Sequence, residues 1–319
     1  MSVRIAILPT GRMEWQALPG ALGRLFPEHE FYSLPRREEV ASNATIDFPV
    51  PSFTSCDVLR LAGKPCAADK LIERAVAEAI GNGRSPRADL VLIIDDLELD
   101  NIHQPAAVVG IVREAARRYL DRIAAIGGNT QRHADALRER VSFHLAKPMI
   151  EAWLFADPTG PTHTGVPTSR LPKLKTPNDP ECFCSDDPAF TADLGADCTT
   201  WNALPEDTPK QQKEKQKLRP IWARVGDRRS QHPKAYLAWL CMDRTEKKCS
   251  AYSETKGGAD ALKQIAWDSL LTQANHCCFV RSMVNDIAFH LNVIPEHAGV
   301  CASETDLAAA PRDRLLRNV

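Results

Sequence analysis

Two acidic segments constrain what this chain can fold into more than any other feature, because each follows a short apolar run. Leu90 to Ile94 is followed directly by Asp95 to Asp100, and Val141 to Leu145 is followed a few residues later by Glu151 to Asp157. A continuous apolar run is typical of a strand covered on both faces of a parallel sheet. Such sheets bind ligands beyond the carboxyl ends of their strands, so the sequence predicts a divalent-metal or phosphate-ester site there.

Apolar runs alternate with helical spacing over residues 1–157, which predicts an α/β domain with a parallel sheet flanked by helices. An irregular connection is expected over residues 41–63. The predicted strands are Val3 to Leu8, Glu30 to Leu34, Leu90 to Ile94 and Val141 to Leu145. The predicted helices are about Met13 to Leu25, Asp69 to Ile80, Pro105 to Ala125 and Pro148 to Ala156.

The chain changes character after residue 157. Residues 158–231 contain many prolines and little hydrophobic periodicity, which predicts an irregular insertion. Residues 232–300 are predicted to form a helical C-terminal part packed on the α/β domain, and residues 301–319 a loose tail. The predicted helices of this part are Pro233 to Met242, Ala259 to Leu271 and Cys277 to Leu291.

The charge balance excludes one class of function. With 40 Lys and Arg against 41 Asp and Glu, the formal net charge is −1, which excludes a polyanion binder that relies on bulk charge. A nucleic-acid partner therefore requires a local basic patch, and the run Lys210 to Arg219 is either that patch or a solvated charged surface. No apolar stretch reaches the ~20 residues of a membrane span, so a cytoplasmic protein without membrane association is expected. Homo-oligomerisation is left open.

Asp95, Asp96 and Glu98 are the first candidate metal ligands. Mg²⁺ and Mn²⁺ prefer hard oxygen ligands such as carboxylates. Alternate residues of an extended segment point the same way, so Asp96 and Glu98, or Asp95 if the turn begins early, can reach one ion. The alternative is a turn whose acids cap the next helix or stay in solvent.

Glu151 and Glu14 extend this candidate site. Glu151 lies among large apolar residues near a predicted helix start, where a carboxylate is either an inward-facing ligand or a partner of the helix dipole. Glu14 follows the turn after the first strand and is a further ligand or a catalytic base. For Glu14 the alternative is a first-turn glutamate that only stabilises its helix.

Cysteine chemistry and common nucleotide motifs add little. Cys182, Cys184 and Cys198, with His232, have the ligand types of a structural zinc site but not its usual spacing, so zinc and ordinary packing both remain open. The chain has no P-loop, dinucleotide or nucleophile-elbow signature. Any use of ATP must therefore come from a partner protein.

Several of these segments, in their order along the chain, resemble segments of a known protein family. The order of Gly11-x-x-Glu14 after a strand, Asp95-Asp96-Leu97-Glu98, the stretch Glu151-Ala-Trp-Leu-Phe-Ala-Asp157 and Tyr252-Ser-Glu-Thr-Lys256-Gly is similar to TOPRIM-like proteins of bacterial phage defence, relatives of the OLD and RloB nucleases. The similarity covers roughly residues 1–157 and, more faintly, 232–291. It implies a TOPRIM fold and a Mg²⁺-dependent nuclease that often acts in abortive infection beside an ATPase.

The resemblance also bears on two single positions. Family members usually carry a catalytic glutamate before the glycine that ends the first strand, where this chain has Thr10. A threonine hydroxyl cannot act as a carboxylate base, so either Glu14 substitutes or the site is degenerate. Among the candidate cations Lys234 and Lys256, the resemblance favours Lys256 as the catalytic one, with a solvated lysine as the alternative.

Three functions follow from these observations. The first is a metal-dependent nuclease acting on DNA or RNA in anti-phage defence, with Asp95, Asp96, Glu98 and Glu151 as metal ligands and Glu14 and Lys256 in catalysis. The second is a catalytically degenerate TOPRIM-like sensor or scaffold of a multi-protein defence complex. The third, an enzyme acting on a phosphorylated metabolite, is disfavoured because no glycine-rich loop is available to bind its phosphate.

Overall fold

Four parallel strands form the centre of the fold. In the computed structural model the strands lie in the order β2-β1-β3-β4, and the structure describes residues 2–36, 51–81, 86–177, 179–196, 198–247, 252–271, 277–293 and 314–319. The strands are β1 (Arg4–Pro9), β2 (Glu30–Ser33), β3 (Leu90–Asp96) and β4 (Val141–Ala146). The predicted parallel sheet flanked by helices is confirmed. Strand β3 runs two residues further than predicted and includes Asp95 and Asp96.

Helices cover both faces of this sheet. Helix α1 (Arg12–Leu25) packs with the C-terminal helices on the face that carries Ile5, Ile7 and Leu92. The opposite face, with Ala6, Leu8 and Ile93, is covered by a second group of helices. This group comprises α2 (Ala67–Ile80), α3 (Pro105–Ala125) and α4 (Thr130–Arg140), the last of which the sequence analysis missed. Burial on both faces explains the continuous apolar runs of β1 and β3.

The strand order reverses between β1 and β3. After β1 the chain passes through α1 to β2, which pairs with one side of β1. It then crosses back to β3, which pairs with the other side of β1. The two strands stay joined at their carboxyl ends, where the Thr10 amide donates to the Ile94 carbonyl over 3.1 Å. A reversal of strand order of this kind is where open parallel sheets bind ligands.

The region after β4 differs in detail from its prediction. Ile150–Phe155 is a 3₁₀-helix rather than the α-helix expected from Pro148 to Ala156. The insertion contains short helices, and its aromatic residues Phe183, Phe190 and Trp222 are buried in the same core as α1. Its described helical segments are Gly160–Thr164, Pro180–Cys182, Pro188–Ala192, Thr199–Asn202, Pro209–Lys217, Ile221–Arg224 and Gly226–Gln231.

The C-terminal part is helical, as predicted, but the single helix expected over Ala259 to Leu271 is divided into two short helices. Its helical segments are Pro233–Cys241, Glu254–Gly258, Ala259–Lys263, Trp267–Leu271 and Cys278–Leu291. Two one-turn helices, Val58–Leu61 and Glu98–Asn101, complete the described helices of the chain. None of the helices in the described ranges has both the length and the apolar character needed to cross a membrane.

Residues 314–319 do not form the loose tail expected beyond Cys301. They pack against the outer edge of β4, where the side-chain amide of Asn318 bonds the Phe143 backbone at both N and O, over 2.9 and 2.7 Å. Leu316 and Val319 are buried against the sheet. The segment satisfies edge groups that a sheet otherwise exposes; residues 301–313 lie outside the described part.

Candidate functional site

The end of β3 presents its two aspartates to opposite faces of the sheet. Successive residues of a strand alternate between faces, and Leu92 and Ile94 face α1 whereas Ile93 faces α2 and α3. Asp95 therefore lies on the α2 and α3 side, and Asp96 on the α1 side. Both were predicted to bind one ion because the strand was predicted to end at Ile94.

Asp95 is fully buried, and side-chain hydroxyl groups surround its carboxylate. Thr10 Oγ1 donates to Asp95 Oδ1, and Thr54 Oγ1 lies 3.3 Å from Asp95 Oδ2. Burial raises the pKa of Asp95 to about 6, against the lowering effect of these hydroxyl hydrogen bonds. Thr10 is thus a hydrogen-bond partner of Asp95.

Asp96 belongs to a group of five acids that we call the acidic cluster. Its Oδ1 accepts a 2.8 Å hydrogen bond from the Ile150 amide, which joins the ends of β3 and β4. The charges of Glu14, Glu151 and Glu98 all act on Asp96, and Glu254 acts on Glu14 and Glu151. The acidic cluster is therefore Glu14, Asp96, Glu98, Glu151 and Glu254.

Glu14 reaches the cluster because Gly11 leaves room for it. The Glu14 carboxylate folds back over the first turn of α1, and a Cβ at Gly11 would lie 2.1 Å from Glu14 Oε2. Glu14 is nearly fully buried. The Gly11-x-x-Glu14 spacing is thus a packing requirement of the site, since any side chain at position 11 would displace this carboxylate.

Glu98 enters the cluster through an unusual backbone conformation. Its φ is 61°, in the left-handed region that glycine and asparagine adopt most readily. Its amide donates a 2.8 Å hydrogen bond to the Pro148 carbonyl, which fixes this turn against the chain after β4. A non-glycine residue in this region costs roughly 1 kcal/mol or more and is most often retained at functional sites.

Glu151 connects the acidic cluster to the C-terminal part. Tyr252 donates a hydrogen bond to Glu151 Oε1 over 3.2 Å, and Lys234 Nζ lies 3.9 Å from the same oxygen. Lys234 also forms an ion pair with Glu254. The hydroxyl of Tyr252 lies against Gly258, where a Cβ would be only 2.9 Å away. Segments distant in sequence therefore converge on one carboxylate.

Burial and mutual repulsion keep the cluster partly protonated. Burial, with smaller contributions from Glu151 and Glu254, raises the pKa of Glu14 to about 8. Burial and then Glu151 raise the pKa of Glu98 to about 7, and burial raises those of Asp96 and Glu151 as well. Burial disfavours the charge of Lys234, but Glu151 and Glu254 raise its pKa above the usual value. Such shifts are typical of functional sites.

The structure brings together some of the predicted residues and leaves others apart. Lys256, the favoured cation, is exposed, and Lys234 lies among the carboxylates instead. Asp100 pairs with Arg228, and Asp157 accepts hydrogen bonds from Thr159 in a local turn. Glu254 was not among the predicted site residues, and only its place in the segment Tyr252 to Lys256 could have suggested it.

The donor chemistry of the acidic cluster fits a hard divalent cation, but its present arrangement does not converge. Five carboxylates with a single ammonium among them carry excess negative charge that Mg²⁺ or Mn²⁺ would balance. Across the described ranges, however, no three His, Cys, Asp or Glu side chains lie close enough to hold one ion as they stand. Binding of one ion would require these carboxylates to move closer together.

The same finding bears on the zinc hypothesis. Cys198 is bonded in a disulfide, while Cys182 and Cys184 are free thiols. The His232 side chain accepts from the Ala235 amide at the start of helix Pro233–Cys241. These side chains therefore have local structural roles, and they form no zinc site in the described part of the insertion.

Comparison with known proteins adds no relative. No family model matches the chain, and no curated protein or solved structure matches it either.

Proposed function

We propose that this protein is a metal-dependent phosphodiesterase that cleaves the backbone of DNA or RNA, with a TOPRIM-like catalytic domain. The observation that carries the proposal is that four carboxylates, from α1, β3, the turn after it and the segment after β4, lie within electrostatic reach of one another at the switch point of a parallel sheet. A fifth, Glu254, and one ammonium, Lys234, complete the cluster. The resemblance to phage-defence proteins supports a role in anti-phage defence, beside an ATPase or another partner.

Asp96, Glu98 and Glu151 would hold the ion, with Glu14 beside them. A bound divalent cation would activate a water molecule and neutralise charge on a phosphodiester. Asp95, on the other face of the sheet, has a positioning role in this proposal, because its hydrogen bond with Thr10 fixes the ends of β1 and β3 relative to each other.

In this proposal, side chains of the protein supply a positive charge and a proton for the reaction. The Lys234 ammonium, already among carboxylates, stabilises negative charge that develops on a phosphate. Tyr252 holds Glu151 in place through their 3.2 Å hydrogen bond. Glu14, with its pKa raised to about 8, carries a proton at neutral pH and suits a general acid that protonates the leaving oxygen.

Helix Pro209–Lys217 offers a basic surface for the substrate backbone. Lys210, Lys213 and Lys217 are exposed, and their spacing places them on one face of this helix. The insertion is tied to the edge of the site by Arg228, which pairs with Asp100 and donates to the Leu99 carbonyl over 2.7 Å. The exposed lysines support a role for the insertion in binding phosphates, and the Arg228 contacts connect the insertion to the turn after β3.

Cleavage by matched variants tests the proposal. Purified protein with Mg²⁺ or Mn²⁺ is incubated with plasmid DNA, single-stranded DNA and total tRNA, beside Asp96→Asn, Glu151→Gln and the control Asp100→Asn. Replacing a carboxylate by its amide relieves repulsion in the cluster, so the first two variants should fold at least as stably as the parent. Their loss of cleavage then reports chemistry rather than unfolding.

The outcomes separate the functions. Cleavage by the parent and by Asp100→Asn, with a loss of about 100-fold or more in Asp96→Asn, supports the nuclease. Equal cleavage by all four proteins would identify a contaminating enzyme and contradict the proposal.

A second function is favoured by the hydrogen bond between Thr10 and Asp95. A threonine replaces the usual glutamate, and its hydroxyl occupies an oxygen of Asp95. Under this alternative the protein is a degenerate TOPRIM-like sensor or scaffold that binds a nucleic acid or a defence partner without cleaving. Cleavage that appears only in Thr10→Glu would favour the scaffold over the nuclease.

A further inference from the structure

The side-chain ammonium of Lys234 lies among the carboxylates of the acidic cluster. It forms an ion pair with Glu254, and its Nζ lies 3.9 Å from Glu151 Oε1. Its charge acts on each of the five acids. Burial disfavours the ammonium, but Glu151 and Glu254 raise the pKa of Lys234 above its usual value, so the group stays charged. Two carboxylates of the cluster therefore already share one positive charge.

The position of Lys234 in its helix is unfavourable for a cation. Lys234 is the second residue of helix Pro233–Cys241, and the dipole of a helix disfavours positive charge in its first turn. The residues that follow, Ala235, Tyr236 and Leu237, are fully buried and fix this end of the helix in the core. Helix stability therefore does not account for a lysine here, whereas the carboxylates around its ammonium do.

Close backbone packing holds Glu254 beside Lys234. Glu254 begins the one-turn π-helix Glu254–Gly258, a rare conformation that is frequent at functional sites. A Cβ at Gly257 would lie 2.6 Å from the carbonyl oxygen of Thr164, so a glycine is needed for this turn to approach Thr164. Both members of the ion pair therefore belong to packed segments, and the pair is a fixed part of the site.

We propose that Lys234 replaces a second divalent cation, so that the acidic cluster holds one ion. Two-metal phosphodiesterases place their ions about 3.5–4 Å apart. An ion that bridges Glu151 and Glu254 would need the position of the Lys234 Nζ, and the ammonium would repel it. Asp96, Glu98 and Glu151 remain for one ion, which is sufficient because Mg²⁺ keeps several of its waters and needs few carboxylates.

This inference rests on the proposed function and deepens it, because it assigns the number of ions that the site uses. In two-metal enzymes both ions stabilise charge on the reacting phosphate. Here the Lys234 ammonium supplies the second positive charge, and unlike an ion it cannot dissociate from the site.

Counting bound Mn²⁺ tests the inference without any cleavage. Electron paramagnetic resonance measures free Mn²⁺ during titration of the full chain and so gives the number of ions bound. The variants are Lys234→Met, which keeps the length of the side chain but removes its charge, and Lys234→Arg, which keeps the charge. The matched control is Lys263→Met, whose ammonium pairs with Asp260 over 3.2 Å in helix Ala259–Lys263. Circular dichroism checks that each variant is folded.

We expect the parent, Lys234→Arg and Lys263→Met to bind one Mn²⁺ each and Lys234→Met to bind two. The first ion should bind Lys234→Met about tenfold more tightly or better, because no ammonium repels it. Two ions in the parent would overturn the inference, and this count does not depend on how any variant folds. A single ion in folded Lys234→Met, or a second ion in Lys263→Met, would overturn it as well.

Failure of this inference is distinguishable from failure of the nuclease. A parent that binds two Mn²⁺ ions and cleaves nucleic acid retains the nuclease and loses the inference. A parent that binds one ion, gains a second in Lys234→Met and never cleaves retains the inference and loses the nuclease. A parent that binds no Mn²⁺ loses both.

Discussion

Thr10 Oγ1 donates a hydrogen bond to Asp95 Oδ1 and thereby joins the ends of β1 and β3 in the centre of the sheet. Thr10→Val keeps the shape of the side chain but removes this donor from a buried carboxylate. We expect a loss of about 1.5–3 kcal/mol in the free energy of unfolding at pH 8, where Asp95 is ionised. Urea unfolding measures it, and Thr10→Ser, which keeps the hydroxyl, should lose much less. Equal losses in both variants would assign the effect to packing.

Because the acidic cluster has raised pKa values, we expect the free energy of unfolding to fall as pH rises. The folded-state pKa values of Glu14 and Glu98 are about 8 and about 7, above the 4.5 of an ordinary glutamate. The folded protein therefore holds protons that the unfolded chain has released, and the free energy of unfolding decreases from about pH 4.5 to about pH 8. Urea unfolding at several pH values in EDTA measures the slope. Glu14→Gln should flatten it and the exposed-site variant Glu28→Gln should not; a slope unchanged by Glu14→Gln would contradict the prediction.

Binding of Mg²⁺ should release protons. An ion needs ionised carboxylates, and Glu98, one of the proposed ligands, is partly protonated at neutral pH. We expect the affinity for Mg²⁺ to rise between pH 6 and pH 8.5, and saturating ion to stabilise the fold by about 2.7 kcal/mol at 100 times the dissociation constant. Calorimetry in buffers of different ionisation enthalpy counts the protons. No stabilisation by Mg²⁺ or Mn²⁺ at any pH would rule out a metal at this cluster.

Two substitutions of Glu98 can separate the effect of its left-handed backbone on stability from the effect of its carboxylate charge. Glu98→Gln removes the carboxylate but keeps a side chain at φ 61°, whereas Glu98→Gly also relieves the backbone. We expect the glycine variant to be more stable than the glutamine variant by about 1 kcal/mol, measured by thermal unfolding in EDTA. Both variants should bind Mg²⁺ more weakly than the parent. A glycine variant less stable than the glutamine variant would show that the turn is unstrained.

Residues 314–319 should contribute measurably to stability. Leu316 is fully buried, and Asn318 pairs with both backbone groups of Phe143. We expect Leu316→Ala to cost about 2–5 kcal/mol and Asn318→Ala about 1–3 kcal/mol, because the Phe143 amide and carbonyl lose their partners. Leu218→Ala, at an exposed leucine of the insertion, is the control for urea unfolding. Values near that of the control would mean that the segment leaves β4 in solution.

The strands and most helices of the α/β domain could be predicted from local pattern. Burial on both faces makes the β1 and β3 sequences continuously apolar, and Pro105 opens α3 at the predicted residue. Helix α4 was missed because Thr130–Arg140 is strongly polar and buries only Ala134, Ala136 and Leu137. The insertion was read as irregular because its short helices, between many prolines, are too short for a clear hydrophobic period.

The sequence by itself determined which residues carry charge at the carboxyl edge of the sheet. Glu14, Asp96, Glu98 and Glu151 were all predicted from their positions after apolar runs. Tertiary structure alone decided how they group: the two-residue extension of β3 separates Asp95 from Asp96, and the C-terminal part places Lys234 and Glu254 beside Glu151. The physical reason is that strand alternation and long-range packing depend on where a strand ends and on what folds against it, which local periodicity does not encode.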